Sequence, residues 1–235
     1  MAENSPPSSY QSPRGNSAVA ANLAKVREAM NDQAVSLIAV TKHATNEQIE
    51  EAFDLGLNSF AESRIQDALK KREVLPPRVA LNSQWHFIGH LQSNKVKQAV
   101  GNFSLIHSVD SLALAQEVSR VAVQKGIVQS ILLQVKVLSD DAKSGFSPAQ
   151  LRTDIDTIIS LPSINVEGLM TITPLTSDSE KWLASFNGLR QLRDELAAKH
   201  GIPLKELSMG MSDDWREAII CGSTMIRLGR AIFGN

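Results

Sequence analysis

Cysteine occurs once in this chain, as Cys221, so an intramolecular disulfide is excluded and a reducing compartment suits it. Tyrosine also occurs once, as Tyr10. No apolar run approaches the ~18 residues that read as a membrane span, and the N-terminus lacks the apolar core of a signal peptide. Neither sign of charge dominates: the formal net charge is −1, which gives no broad positive field for nucleic acid or an anionic membrane. A cytoplasmic protein without nucleic-acid or membrane partners is predicted. The phosphate-loop pattern G-x-x-x-x-G-K-[ST] and the nucleophile elbow G-x-S-x-G are both missing. The five histidines, His43, His86, His90, His107 and His200, are scattered. His86 and His90 stand four apart, but "WHFIGH" reads as a strand entering a glycine turn. That spacing converges on a metal only on a helix, so no metal site is expected. Cys221 lies in an apolar run and reads as packing rather than as a nucleophile.

What remains is an ordinary soluble composition, with 43% hydrophobic and 21% charged residues in 235. Residues 1–17 (MAENSPPSSYQSPRGNS) carry serine and proline and almost no aliphatic side chains, which predicts a disordered tail. From residue 18 onward, short apolar runs alternate with helical patterns. Strands are predicted over 35–40, 58–61, 85–88, 105–108, 130–137, 164–169, 206–209 and 225–228. Helices are predicted over 18–31, 46–55, 65–74, 94–100, 112–125, 147–160, 179–200 and 215–220. Strands separated by helices imply βαβ units and a parallel sheet. Eight such units in about 200 residues imply an α/β fold, a single (β/α)8 TIM barrel over 18–235; an open doubly wound sheet is the alternative.

Barrels of this kind carry their ligands at the C-terminal ends of the strands. Behind the first apolar run, "SLIAV", come Thr41 and Lys42. A strand-end lysine is usually just solvated. Held against apolar walls it would instead have its pKa lowered, which frees the amine to bond a carbonyl. "SMGMSDDW" offers Ser208, Gly210 and Ser212. Ser212 reads as the N-cap of a helix opening near Asp213, or as part of an anion nest. "CGSTMIRLG" offers Gly222, Ser223 and Thr224. Spacing points those three to the barrel bottom, before the last strand, but does not decide it: a shorter last strand, or a turn through Ser223-Thr224 that climbs to the mouth, would bring them to the ligand end. Arg227 shares a face with Met225 and Gly229. Inside a barrel it needs an acceptor, because an unpaired buried charge costs several kcal/mol; either Glu62 or a ligand atom could serve.

Six blocks in chain order, "IAVTKH", "WHFIGHLQSNK", "HSVDSL", "KSGF", "GLMTI" and "LSMGMSDDWREAIICGSTMIRLGRAIFG", resemble the pyridoxal phosphate homeostasis protein family. The resemblance runs from about Lys25 to Phe233. It implies a barrel like the N-terminal domain of alanine racemase, with pyridoxal 5′-phosphate (PLP) as cofactor. It further implies that Lys42 forms a Schiff base with PLP, that Ser208, Gly210, Ser212, Gly222, Ser223 and Thr224 hold the phosphate, and that Arg227 faces the pyridine nitrogen. An arginine there keeps that nitrogen unprotonated and weakens the ring as an electron sink. The family usually shows "FGEN" where this chain reads Phe60-Ala61-Glu62-Ser63, so Ser63 replaces an asparagine that approaches the ring.

The expected function is PLP binding in vitamin B6 homeostasis, as a non-catalytic carrier whose partners include enzymes that need PLP. The alternative is a PLP-dependent amino-acid racemase, which needs a second acid/base across the ring. In the racemases resembled here a tyrosine from a C-terminal domain supplies it. This chain has no such domain in view and no tyrosine after residue 10, and His90 is the nearest substitute. A lone barrel of modest charge is compatible with a monomer.

Overall fold

The chain enters its first helix through a serine. Ser17 accepts from the N–H of Ala20 and so satisfies one of the orphan donors at the start of α1 (Ala18–Met30). Its hydroxyl also donates to Glu51. Composition assigned Ser17 to the tail; long-range pairing makes it part of the fold. The computed structural model describes residues 17–31, 33–138, 144–173 and 178–234, and the rest of the expected tail lies outside them.

The alternation then plays out as β1 (Ser36–Val40), α2 (Asn46–Asp54), β2 (Ser59–Glu62), α3 (Ile65–Val74), α4 (Pro77–Asn82) and β3 (Gln84–Phe87). A 3-10 turn (Ser93–Lys95) and α5 (Val96–Ala99) lead to β4 (Leu105–Val109), α6 (Leu112–Lys125) and β5 (Gln129–Gln134). The chain finishes through α7 (Pro148–Ile159), β6 (Ile164–Met170), α8 (Ser179–His200), β7 (Glu206–Ser208), α9 (Trp215–Ile220), β8 (Met225–Leu228) and α10 (Arg230–Phe233). Thr45 and Gln48 cap α2 reciprocally, and Gly126 in the left-handed region ends α6.

Two helices went unpredicted. Pro76-Pro77 reads as a stop signal, yet Pro77 occupies the first turn of α4, where its missing N–H costs nothing. The four residues of α10 are too few to show a helical period.

The eight strands close in chain order, all parallel, with Leu37 beside Ile226 and Ala39 beside Leu228 completing the ring. Alternation sorts the side chains. Ala39, Phe60, Trp85, Ile106 and Leu207 face outward into the cluster shared with the helices. Ile38, Ala61, Leu105, Leu132, Met170 and Met225 fill the barrel. Glu62 is outward as well, fully buried between β2 and α3. It accepts from Thr41 Oγ1 at 2.7 Å and pairs with Lys71 of α3 at 2.6 Å. Glu62 is therefore not the acceptor for Arg227, which lies inside the ring.

Among the described residues no helix is long and apolar enough to cross a membrane. No group of three or more His, Cys, Asp or Glu side chains among them could hold a metal ion.

Candidate functional site

The mouth is formed where the strands end. Lys42 follows β1 on the register of Ile38 and Val40, whose side chains pack with the barrel interior. It is exposed, and with His43, Gly229 and Arg230 it lines a depression between the ends of β1 and β8. Thr41, one residue earlier, faces outward and is anchored to Glu62 and to the carbonyl of Ala61. The anchor fixes the strand end from which Lys42 leaves.

Ser63 follows β2 at the same rim. A Cβ on Gly89, after β3, would fall 2.0 Å from the Ser63 carbonyl oxygen, so only glycine lets these two strand ends touch. His90, next in the chain, is exposed and faces Asp110 at 3.3 Å and the Ser144 hydroxyl at 3.4 Å.

Arg227 is buried beneath the mouth. Its Nη1 donates to Ser208 Oγ at 2.6 Å, and its Nη2 donates to the Thr171 carbonyl at 2.9 Å, just past β6. Burial lowers its pKa to about 10 while the Asp214 carboxylate works against that, so it stays cationic at neutral pH. Two of the five N–H bonds of the guanidinium are matched among the described residues, which leaves donors for a further acceptor.

Ser208 sits inside the barrel, fully buried, and also meets His107 Nδ1 at 2.8 Å. It stands behind Arg227 rather than at the rim, against the expectation that it reaches a phosphate. His107 Nε2 in turn meets His86 Nδ1 at 2.9 Å. Sequence reasoning weighed the histidines for metal spacing, and His90 as an acid/base, and missed this pair. The available signal was alternation: His86 with Ile88, and Leu105 with His107, fall on inward positions.

Burial lowers the His86 pKa to about 4 and holds His107 well below the ordinary imidazole value, with the charges of His86 and Arg227 adding to the second effect. Both side chains would protonate near 6.5 in the unfolded chain. Their stabilising contribution is therefore complete above that value and is lost as pH falls toward 4. Unfolding free energy, measured by urea titration, is expected to be flat above pH 7 and to drop on acidification. His86 alone accounts for on the order of 3 kcal/mol at the acid end. Equal stability at pH 7.5 and 4.5 would contradict buried neutral imidazoles.

The turn after β7 carries Gly210 and Ser212. Gly210 has φ +95°, and a Cβ there would lie 2.6 Å from Ala218 Cβ, so its first duty is to let α9 pack close. Ser212 is partly exposed on this turn and does not cap α9. The helix opens at Trp215, and Asp214 instead folds back to accept from the Met211 N–H at 2.6 Å and from the Thr173 hydroxyl. Asp213 reaches across to Arg230 at 2.8 Å, joining the loops after β7 and β8.

Gly222, Ser223 and Thr224 are not brought to the mouth. Thr224 bonds the Leu207 N–H at 2.8 Å and its carbonyl accepts from Ser36 N–H, at the start of β7 and of β1. Ser223 Oγ has one proton to give, and its nearest acceptor is the Met209 carbonyl at 2.8 Å, with those of Met225 and Leu207 at 3.0 and 3.2 Å. This turn belongs to the opposite end of the barrel, as its position before β8 requires. The corresponding mouth segment is Gly229-Arg230, after β8.

The family described as "Alanine racemase, N-terminal domain" matches residues 16–235. A curated relative from Synechocystis, named pyridoxal phosphate homeostasis protein, is 44% identical over 86% of this chain and 91% of its own. One of the same name from Aquifex aeolicus is 39% identical over 89% and 90%. This chain belongs to the pyridoxal phosphate homeostasis protein family. Among solved structures, PipY of Synechococcus elongatus with PLP bound superposes with a TM-score of 0.83 at 39% identity, covering 92% of this chain and all of PipY. Alanine racemase of Clostridium difficile shares the fold at 18% identity and TM-score 0.73, with 56% of that chain covered.

Proposed function

We propose that this protein binds pyridoxal 5′-phosphate at the C-terminal mouth of its barrel and serves vitamin B6 homeostasis by holding the cofactor, without amino-acid turnover. The observation that carries this reading is the placement of a primary amine, Lys42, and a buried cation with spare donors, Arg227, at the same end of one closed barrel. The names of the relatives and the PLP-bound PipY structure support it.

When bound, PLP supplies an aldehyde that a primary amine can attack and a ring that can act as an electron sink. Lys42 provides the amine. Arg227 offers N–H bonds to an acceptor such as a ring nitrogen, but as a permanent cation it keeps its proton. Arg227 would thereby leave a ring nitrogen unprotonated and the ring a weak electron sink, which suits storage. Gly210, Ser212, Gly229 and Arg230, in the loops after β7 and β8 that such barrels use for anions, would hold the phosphate. Ser63 completes the rim on the β2 side. Apo-enzymes that need PLP are the natural recipients of what is stored.

The absorbance spectrum of the protein mixed with PLP, followed by assay with D- and L-alanine, tests this. A visible band that persists through gel filtration, with no racemisation, is expected. Turnover at ordinary enzymatic rates, roughly 1–1,000 per second, would replace the carrier by an enzyme.

A further inference from the structure

His86, His107, Ser208 and Arg227 make a continuous chain of hydrogen bonds across the barrel interior, with links of 2.9, 2.8 and 2.6 Å. We propose that His86, His107 and Ser208 are a positioning relay that fixes the Arg227 guanidinium, with every hydrogen bond directed away from Arg227 and both imidazoles held as the Nε2–H tautomer. Its bearing on PLP rests on the function proposed above.

Direction follows from counting donors. A guanidinium has no acceptor, so Ser208 Oγ must accept from Arg227. The Ser208 hydroxyl proton then has one place to go among the described residues, His107 Nδ1. That makes His107 the donor at Nε2, and His86 Nδ1 receives it. The chain ends on His86 Nε2–H, a buried atom without a partner among the described residues.

The reversed chain fares worse. With His107 protonated at Nδ1, Ser208 would accept twice and its own proton would have no acceptor. His86 Nε2 would then be a second buried atom left unmatched. One unmatched group is preferred to two, since each forfeits its hydration on burial.

The surroundings do not disturb this order. His86 comes from β3, His107 from β4 and Arg227 from β8, and Asp214 approaches from the turn after β7. The remaining inward positions carry Ile38, Ala61, Leu132 and Met170, together with Gln134, whose amide donates to the Ser144 carbonyl, and Glu206, whose carboxylate accepts from the Thr224 hydroxyl. No carboxylate among these inward positions competes for the imidazoles, and burial keeps both neutral. Arg227 is thus held from behind by the relay and from the side by the Thr171 carbonyl.

The test uses the full chain labelled with 15N-histidine. Side-chain NMR at pH 7 is expected to show His86 and His107 neutral and protonated at Nε2, assigned with the His86→Gln and His107→Gln variants. Either imidazole protonated at Nδ1, or cationic, overturns the relay. The second arm uses Ser208→Ala, a small change that cuts the chain at its middle and leaves Arg227 in place. His107 is expected to lose its single tautomer, and bound PLP to be released about tenfold faster, as loss of one buried hydrogen bond of Arg227 implies. An unchanged tautomer and an unchanged release rate would refute the relay. If the unaltered protein takes up no PLP, the proposed function falls while the NMR arm still decides the relay.

Discussion

Replacing Lys42 with alanine is expected to abolish covalent retention of PLP. The argument is positional. Lys42 leaves β1 at the mouth and shares a depression with Gly229 and Arg230, beside the loops that suit a phosphate. Lys71, on the neighbouring element, is committed to Glu62 and to the Thr41 carbonyl and cannot substitute. Borohydride treatment followed by peptide mass spectrometry should place the reduced label on Lys42 in the unaltered protein and find only background in Lys42→Ala. Noncovalent binding through the phosphate and Arg227 should persist about a hundredfold weaker, which corresponds to ~2.8 kcal/mol. A label of undiminished yield on another lysine would remove Lys42 from the site.

Lys71→Met is expected to give the largest loss of stability. Glu62 is fully buried, and its Oε1 is held by Lys71 at 2.6 Å and Thr41 at 2.7 Å. Its Oε2 has no hydrogen-bond partner among the described residues, so the pair has little to spare. Removing the ammonium strands a carboxylate between β2 and α3, and breaking such a pair costs about 3–5 kcal/mol. For a chain of this size that corresponds to roughly 10 °C in Tm. Adding Glu62→Gln to the same chain should recover a large part of the loss, because the stranded charge is gone. A single-variant change below about 1 kcal/mol would mean that solvent reaches Glu62. Thr41 and Glu62 immediately precede Lys42 and Ser63, so the loss should also loosen PLP.

The barrel was legible because its signal is local. Apolar runs such as "SLIAV" and "SILLQ" alternate with helical periods, and eight of them leave few ways to arrange a parallel sheet. The position of Lys42 was legible for the same reason: it follows an apolar run that ends at the mouth. The rest depended on which strands lie side by side. His86 and His107 meet only because β3 and β4 are neighbours, and Ser208 joins them from a strand far along the chain. Nothing in the spacing of "WHFIGH" or "HSVDSL" records that.

The placement of Gly222–Thr224 is instructive in the other direction. Strand spacing pointed this turn to the barrel bottom without deciding it, while resemblance moved it to the phosphate. The hydrogen bonds of Ser223 and Thr224 side with spacing. The loop that follows strand 8 in this fold is Gly229-Arg230. Ser212 is not a cap because the helix opens at Trp215, and Asp214 turns its carboxylate back to the Met211 N–H and to the Thr173 hydroxyl from another loop.

Ring closure by β1 and β8 has a kinetic cost. The two strands that seal the barrel lie at opposite ends of the folded sequence, and contacts between distant segments form slowly because the intervening chain must be ordered first. During synthesis on the ribosome, β1 therefore presents a bare edge until the segment of β8 has emerged. Throughout that interval the nascent protein is open to strand addition by other chains, and chaperone protection matters most then.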